Sequence, residues 1–301
     1  MMTTSPFAGE EALPKDVLDV DYNARASVSE QAFADEMARY RRLSEEACAP
    51  LGGLRDVVYD QTSGETLDIF GVREGEARPV FLFVHGGYWR ALSKQDSGFM
   101  ASMLAQKGIA TAVVDYTLAP AVSLSEIVRQ VRAALAFLWR EGKVHGVDPE
   151  RIFVGGSSAG GHLTGALLSA GWHEEFGVPT NVIKGAMPVS GLFHLAPIAR
   201  SFVQEWMSLT PQEVADLSPA ENIPASGPPI IVAYAEGEPA GFRRQSRAYH
   251  EMWSAAGLTS TLMEVPDRHH FDVISDLADA DTDLARALVA MIEGSPERAA
   301  A

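Results

Sequence analysis

Cysteine is almost absent from this chain, since Cys48 stands alone among 301 residues. A single cysteine can form neither an internal disulfide nor a structural zinc site built from cysteines. Long apolar runs are also missing: no stretch reaches the roughly 18 residues that a membrane-spanning helix needs. The first residues lack the basic and then apolar pattern of a signal peptide, so we expect a cytoplasmic protein.

Basic residues are few, with 24 Lys and Arg against 40 Asp and Glu and a formal net charge of −16. A surface of this charge repels phosphate backbones and anionic lipids, so we expect no nucleic acid and no membrane as a partner. Hydrophobic residues make up 47% of the chain, enough for one large core. The acidity favours solubility and says little about a substrate; the motifs described below lead us to expect a small-molecule substrate, and a homodimer remains open.

Apolar runs alternate with segments of helical period from residue 80 onward. The runs cover 80–87, 109–116, 151–157, 183–190, 229–237 and 260–266, and the helical segments cover 96–107, 124–141, 159–170, 241–256 and 272–293. Strands that are apolar on both faces and alternate with helices predict an α/β fold, with a mostly parallel central sheet and helices on both faces. Two earlier strands, 54–60 and 65–72, add an antiparallel N-terminal edge.

No linker or repeat divides the chain, so we expect a single domain over residues 1–301. Residues 1–20 are polar, and we expect partial disorder there. A helix is predicted over 29–49, which makes residues 1–50 a helical extension that can cap the active site. Residues 191–228 fall outside the alternation and form a second candidate lid. We expect both segments to cover the mouth of the pocket, because excluding water favours a small substrate.

The sequence GGSSAGGH at residues 155–162 lies between a predicted strand and a predicted helix. A Walker-type phosphate loop needs Lys and then Ser or Thr after its last glycine, but His162 and Leu163 stand there, and the dinucleotide spacing is also absent. The pattern G-x-S-x-G fits instead at 156–160. It places Ser158 as a nucleophile on a sharp strand-to-helix turn, and the backbone N–H of Ala159 would face the substrate carbonyl oxygen.

A second glycine-rich turn, HGGYW, ends an earlier strand. In hydrolases of this type such a turn supplies the other oxyanion donors, and here Gly86, Gly87 and Tyr88 are the candidates. We expect His85 to fix this loop by hydrogen bonds and to transfer no proton. Trp89 either lines the substrate pocket or fills the core.

The catalytic base comes late in the chain, because the order in this fold is Ser, then Asp or Glu, then His. His269 and His270 precede the last helix, and we choose His270, with His269 as the minor option. His250 lies within a predicted helix and reads as a surface residue. The acid is expected after the preceding strand, where Glu236 and Glu238 are candidates.

Two further acids, Asp267 and Asp272, flank the histidines, but they lie too close in sequence to brace the imidazole ring easily. For each of these four carboxylates, the alternative to a catalytic role is a solvated side chain on a loop.

These motifs together resemble kynurenine formamidases (arylformamidases), which are α/β-hydrolases related to the hormone-sensitive-lipase-like esterases. The resemblance runs from Tyr22 to the last helix and rests on VHGGYWR, GGSSAGGHL, GFRRQSRAYHE and HHFDVI. It implies Ser158 as nucleophile, His270 as base and Glu238, four residues before Phe242, as acid. The family commonly has Asp at this position, so Glu238 is a departure that changes the geometry of the triad.

The resemblance implies hydrolysis of N-formylkynurenine to kynurenine and formate, with no metal and no organic cofactor. A general short-chain carboxylesterase is the alternative within enzymes. A non-catalytic small-molecule-binding protein on the same fold is the alternative outside them, but such a protein would be expected to lose the nucleophile or the base, and here all three positions carry competent residues.

Overall fold

A computed structural model describes residues 6–294 of the chain. Within that range eight strands form one sheet in the order β1-β2-β4-β3-β5-β6-β7-β8. The strands are β1 (Gly53–Val58), β2 (Thr66–Phe70), β3 (Arg78–Val84), β4 (Ala110–Val114), β5 (Val147–Ser157), β6 (Ile183–Val189), β7 (Ile230–Ala235) and β8 (Ser260–Val265). β1 and β2 pair antiparallel at one edge, β2 also pairs antiparallel with β4, and the other pairs are parallel. The mixed sheet with its antiparallel N-terminal edge confirms the predicted α/β-hydrolase fold.

Helices cover both faces of the sheet because its central strands are apolar on both sides. In β3, Val80, Leu82 and Val84 face one core cluster, while Phe81 and Phe83 face the other. The helices are α1 (Ala8–Glu11), α2 (Lys15–Asp21), α3 (Glu30–Cys48), α4 (Ala101–Gln106), α5 (Leu124–Glu141), α6 (Ala159–Leu168), α7 (His173–Phe176), α8 (Gln204–Met207), α9 (Pro211–Leu217), α10 (Ala240–Ala255) and α11 (Asp283–Glu293). Helices α5, α6 and α10 pack on the first face, and α3, α4 and α11 pack on the second.

Every helix described between residues 6 and 294 is too short or too polar to cross a bilayer.

The partial disorder expected within residues 1–20 is not found in residues 6–20, and residues 1–5 lie outside the described residues. Leu18 of α2 is fully buried in the core. The buried carboxylate of Glu10 lies 2.8 Å from a guanidinium nitrogen of Arg244 on α10. Buried apolar side chains and polar contacts with distant segments, among them the ion pair of Glu10 with Arg244, hold this polar segment in place, and no local pattern reveals such contacts.

The predicted final helix over 272–293 is also wrong at its start. A short 3-10 helix spans Val273–Ala278, and α11 begins only at Asp283. Between them Thr282 caps α11, since its side chain accepts a hydrogen bond from the backbone N–H of Ala285. A cap of this kind stabilises a helix start at that point, and the acidic residues before it form the turn.

Candidate active site

Ser158 lies at the turn between β5 and α6, at the carboxyl end of the sheet. Its backbone has φ 59° and ψ −117°, which a residue with a Cβ rarely adopts. The turn is tight: a Cβ on Gly160 would lie 2.0 Å from the carbonyl oxygen of Val84. Only glycine fits there, and the strained turn presents the Ser158 side chain to the cavity.

The glycine-rich loop after β3 runs directly beside this turn. A Cβ on Gly86 would lie 2.7 Å from the carbonyl oxygen of Ser157, so the two backbones are in contact. Gly87 and Tyr88 then adopt positive φ angles of 91° and 49°. Ala159 is the first residue of α6, and a backbone N–H at that position has no partner within the helix. The glycine-rich loop and the first residue of α6, which carry the candidate oxyanion donors, therefore both lie next to Ser158.

His85 supports the loop from behind. Its ring stacks on Tyr116 with centroids 4.2 Å apart, and its Nδ1 lies 3.0 Å from the carbonyl oxygen of Gly86. Burial lowers the pKa of His85 to about 4, so the ring is neutral at physiological pH. These contacts agree with the expected role in fixing the loop rather than in moving protons.

His270 and Glu238 meet at the same end of the sheet, on the loops that follow β8 and β7. The Nδ1 of His270 lies 3.4 Å from Oε1 of Glu238, and both side chains are buried. That separation is longer than a well-formed hydrogen bond, as is common for catalytic pairs without substrate. Oε1 also accepts the hydroxyl of Ser190 and, at 3.3 Å, the backbone N–H of Ala235. The carboxylate is therefore anchored while it faces the imidazole.

The other candidate acids have different partners. Glu236 is exposed, and its carboxylate accepts the backbone N–H of Asp267 at 3.3 Å. Asp272 accepts the backbone N–H of His269 at 2.7 Å and lies 3.3 Å from the Nδ1 of the same residue. His269 is thus tied to its own loop, and among residues 6–294 the carboxylate within ion-pair distance of His270 is that of Glu238.

His250 lies in α10 as expected, where its Nδ1 contacts the hydroxyl of Ser260 at 2.8 Å. It is not among the residues that line the cavity. No group of three or more potential metal-ligating side chains was found among residues 6–294.

A cavity of about 360 Å³ contains both Ser158 and His270 in its wall. This volume suits a small organic molecule. Aromatic and aliphatic side chains form much of the lining, namely Phe33, Met37, Tyr40, Phe83, Phe99 and Phe271. An aryl group or a short acyl chain would find apolar contacts beside the nucleophile.

The N-terminal extension supplies one side of this cavity through α3. Phe33 packs edge-on against Phe271 with centroids 5.0 Å apart, and the hydroxyl of Tyr40 donates to the carbonyl oxygen of Phe271. Phe271 directly follows His270, so α3 is fixed to the loop that carries His270. The helical period predicted a helix over 29–49 from the sequence, but it could not show which surface that helix covers.

The expectation that 191–228 covers the pocket mouth needs correction. None of the cavity-lining residues in the described chain falls within it. Phe202 and Trp206 pack instead on the ring of Tyr88, with centroids 6.1 and 6.0 Å apart. The segment supports the glycine-rich loop from outside, because its aromatic side chains pack on an apolar surface there.

Trp89 also needs correction as a candidate pocket residue. Its side chain is fully buried and packs edge-on against His162, with ring centroids 5.1 Å apart, and it does not line the cavity. Its positive φ of 59° turns it away into the core beneath α6. Ser190, in contrast, was missed: it follows β6, and only its position at the carboxyl end of a strand could have indicated a role.

Comparison with known proteins finds relatives whose sequences align with most of this chain. The BD-FAE family model matches residues 67–252. The kynurenine formamidase of Salmo salar is 34% identical over 79% of this chain and 82% of its own length. That of Danio rerio is 31% identical over 94% of this chain and 98% of its own length.

Solved structures show the same architecture. A protein of Silicibacter sp. TM1040, provisionally assigned as a thioesterase, superposes with a TM-score of 0.76 at 28% identity, over 92% of this chain and 98% of its own. An esterase of Pyrobaculum calidifontis superposes with a TM-score of 0.70 at 18% identity, over 95% and 97% of the two chains. The second likeness concerns the fold alone.

Proposed function

Because this chain belongs to the BD-FAE family and to the kynurenine formamidase family, and is a hydrolase of the formamidase and esterase type, we propose that it cleaves a small aryl formamide of the N-formylkynurenine kind. The observation that carries the proposal is the meeting of four features at one cavity. These are Ser158 on its strained turn, the glycine-rich loop, and the neighbouring side chains of His270 and Glu238.

In the proposed reaction the hydroxyl oxygen of Ser158 attacks the formyl carbonyl while His270 takes its proton. Glu238 holds the imidazole tautomer and stabilises the imidazolium. The N–H groups of Ala159 and of the Gly87–Tyr88 turn donate to the oxyanion, and each such donor typically contributes about 3 kcal/mol to the transition state.

Collapse of the tetrahedral intermediate breaks the C–N bond. The departing aryl amine receives the proton from His270 and leaves a formyl ester on Ser158. Water, deprotonated by the same imidazole, then releases formate and restores the hydroxyl. Every proton in this sequence is carried by the triad, so the proposal requires neither a metal nor an organic cofactor.

We extend the proposal to the domain organisation: the chain is a single hydrolase domain in which the N-terminal extension is a fixed wall of the active site. The burial of Leu18 and the contact of Phe33 with Phe271 support this view. A short-chain carboxylesterase is the second candidate function, favoured by the apolar lining of the cavity, which suits an acyl chain.

A paired assay separates the two functions. We expect kcat/KM for N-formylkynurenine to exceed that for phenyl butyrate by at least about tenfold, because the small formyl group fits beside the oxyanion loop while the aryl ring takes the apolar wall. Formate release and phenol release would be measured on the same preparation. Rapid phenol release without detectable formate would assign the carboxylesterase function instead.

A further inference from the structure

Two arginines line the same cavity as the nucleophile and the base. They are Arg25, just before α3, and Arg90, just after the oxyanion loop. Many of the other arginines in this acidic protein pair with carboxylates, as Arg78, Arg129 and Arg268 do. Across the described residues no carboxylate lies within ion-pair distance of Arg25 or Arg90. Each therefore brings an uncompensated positive charge to the cavity.

Aromatic rings fix the two guanidinium groups in place. The guanidinium of Arg25 lies 4.5 Å from the ring centre of Phe33, and its Nη1 donates to the carbonyl oxygen of Val28 at 3.3 Å. The guanidinium of Arg90 lies 3.8 Å from the ring centre of Trp206. A stacked guanidinium keeps its edge N–H groups free to donate, and less rotational freedom is lost when it binds an anion.

Both arginines are attached to the wall that carries the oxyanion loop. The hydroxyl of Tyr88 donates to the carbonyl oxygen of Tyr22, which lies three residues before Arg25. The indole N–H of Trp206, beneath Arg90, donates to the carbonyl oxygen of Tyr88 at 3.2 Å. Tyr88 thus connects the segments that support the two guanidinium groups.

The acidic residue among the cavity-lining residues is Asp96. Its carboxylate already lies 2.9 Å from a guanidinium nitrogen of Arg41 and accepts the hydroxyl of Ser93, also at 2.9 Å. This carboxylate is compensated by its own partners, whereas Arg25 and Arg90 are not. The uncompensated charge of the cavity is therefore positive, although the chain as a whole has a net charge of −16.

We propose that Arg25 and Arg90 form a carboxylate-recognition subsite that selects substrates bearing a carboxylate away from the scissile carbonyl. Guanidinium groups bind carboxylates through paired, charge-assisted hydrogen bonds. The preferred substrate class is then an aryl formamide with an acidic side chain, and neutral formamides and esters bind more weakly. This inference rests on the proposed function, because it names the substrate class of the same site.

The test compares two formamides that differ only in the carboxylate, 4-(2-formamidophenyl)-4-oxobutanoate and its neutral primary amide, in Arg25→Met and Arg90→Met. Methionine keeps an apolar stem on the aromatic ring and removes the charge. We expect the ratio of kcat/KM for the acidic over the neutral substrate to fall about tenfold in each variant, as for loss of one charge-assisted hydrogen bond. Arg42→Met, an exposed arginine on α3 paired with Glu46, should keep the wild-type ratio.

An unchanged ratio in both variants would overturn the subsite. An unchanged ratio combined with an equal loss for both substrates would show that the arginines only support the oxyanion loop. If the wild type cleaves neither formamide, the same ratio is measured with monophenyl succinate and phenyl butyrate. In that case the formamidase proposal fails, while the ester pair still shows whether the two arginines select for a carboxylate.

Discussion

Ser158→Ala is expected to lower kcat by about a million-fold, because nucleophile and base act as one unit and the remaining groups give only residual catalysis. The fold should be retained. Among residues 6–294 the Ser158 hydroxyl has no hydrogen-bond partner whose loss would cost stability, and alanine meets the same backbone restriction as serine at φ 59°. The thermal midpoint should change by no more than about 3 °C.

Ser157→Ala is the matched control, since Ser157 is the adjacent serine and also borders the cavity. Its side chain belongs to the end of β5 and not to the turn, so turnover should stay within about tenfold of the wild type. The reverse pattern, in which Ser157→Ala is inactive and Ser158→Ala is active, would show that the nucleophile has been placed one residue too late.

Glu238→Gln is expected to reduce kcat by about ten-thousand-fold, with stability little changed. The amide removes the charge that stabilises the imidazolium. It can also present an N–H₂ group to Nδ1 of His270 and so favour the wrong tautomer. Ser190 can still donate to the side-chain oxygen of glutamine, and for this reason the buried site should keep its packing. Turnover and thermal unfolding of the purified variant would be measured together.

Glu238→Asp restores the acid that the family commonly carries and should keep more activity than Glu238→Gln. The shorter aspartate side chain must still reach His270 across a separation that is already 3.4 Å with glutamate.

Glu236→Gln is the control from the same loop, because that carboxylate is exposed and contacts the backbone of Asp267. Asp267→Asn and Asp272→Asn complete the comparison, and Glu238→Gln should be the most damaging of the four neutral variants. Retention of more than about a tenth of the wild-type turnover by Glu238→Gln would mean that another carboxylate braces the base.

The βα alternation could be predicted from the sequence because it depends on local pattern. The predicted helix over 124–141 coincides with α5, since Ser123 caps its start and accepts from the backbone N–H of Glu126. The motif around Ser158 needs only a strand, a turn and a helix in sequence order. In both cases short-range chemistry fixes the structure, and a single sequence contains that information.

The incorrect predictions concern residues whose positions depend on contacts with segments distant in the sequence. Residues 6–20 are polar, yet Leu18 is buried and Glu10 pairs with Arg244. Trp89 belongs to a glycine-rich loop, which is compatible with a side chain in the pocket or in the core. Its backbone conformation directs the side chain into the core. The stacking of Arg90 on Trp206 joins segments far apart in the chain, so neither residue alone indicated a binding role.

Covalent labelling with an aryl phosphonate identifies the nucleophile, because the reagent captures the activated serine without any assumption about substrate. We expect one adduct per chain, located by fragment-ion masses on Ser158, with occupancy that rises in step with the loss of hydrolase activity. We also expect no labelling of Ser158→Ala or, at the same reagent concentration, of the wild type after denaturation. Complete inactivation with the adduct on Ser157 or elsewhere, and with Ser158 unmodified, would contradict the assignment of Ser158 as the nucleophile.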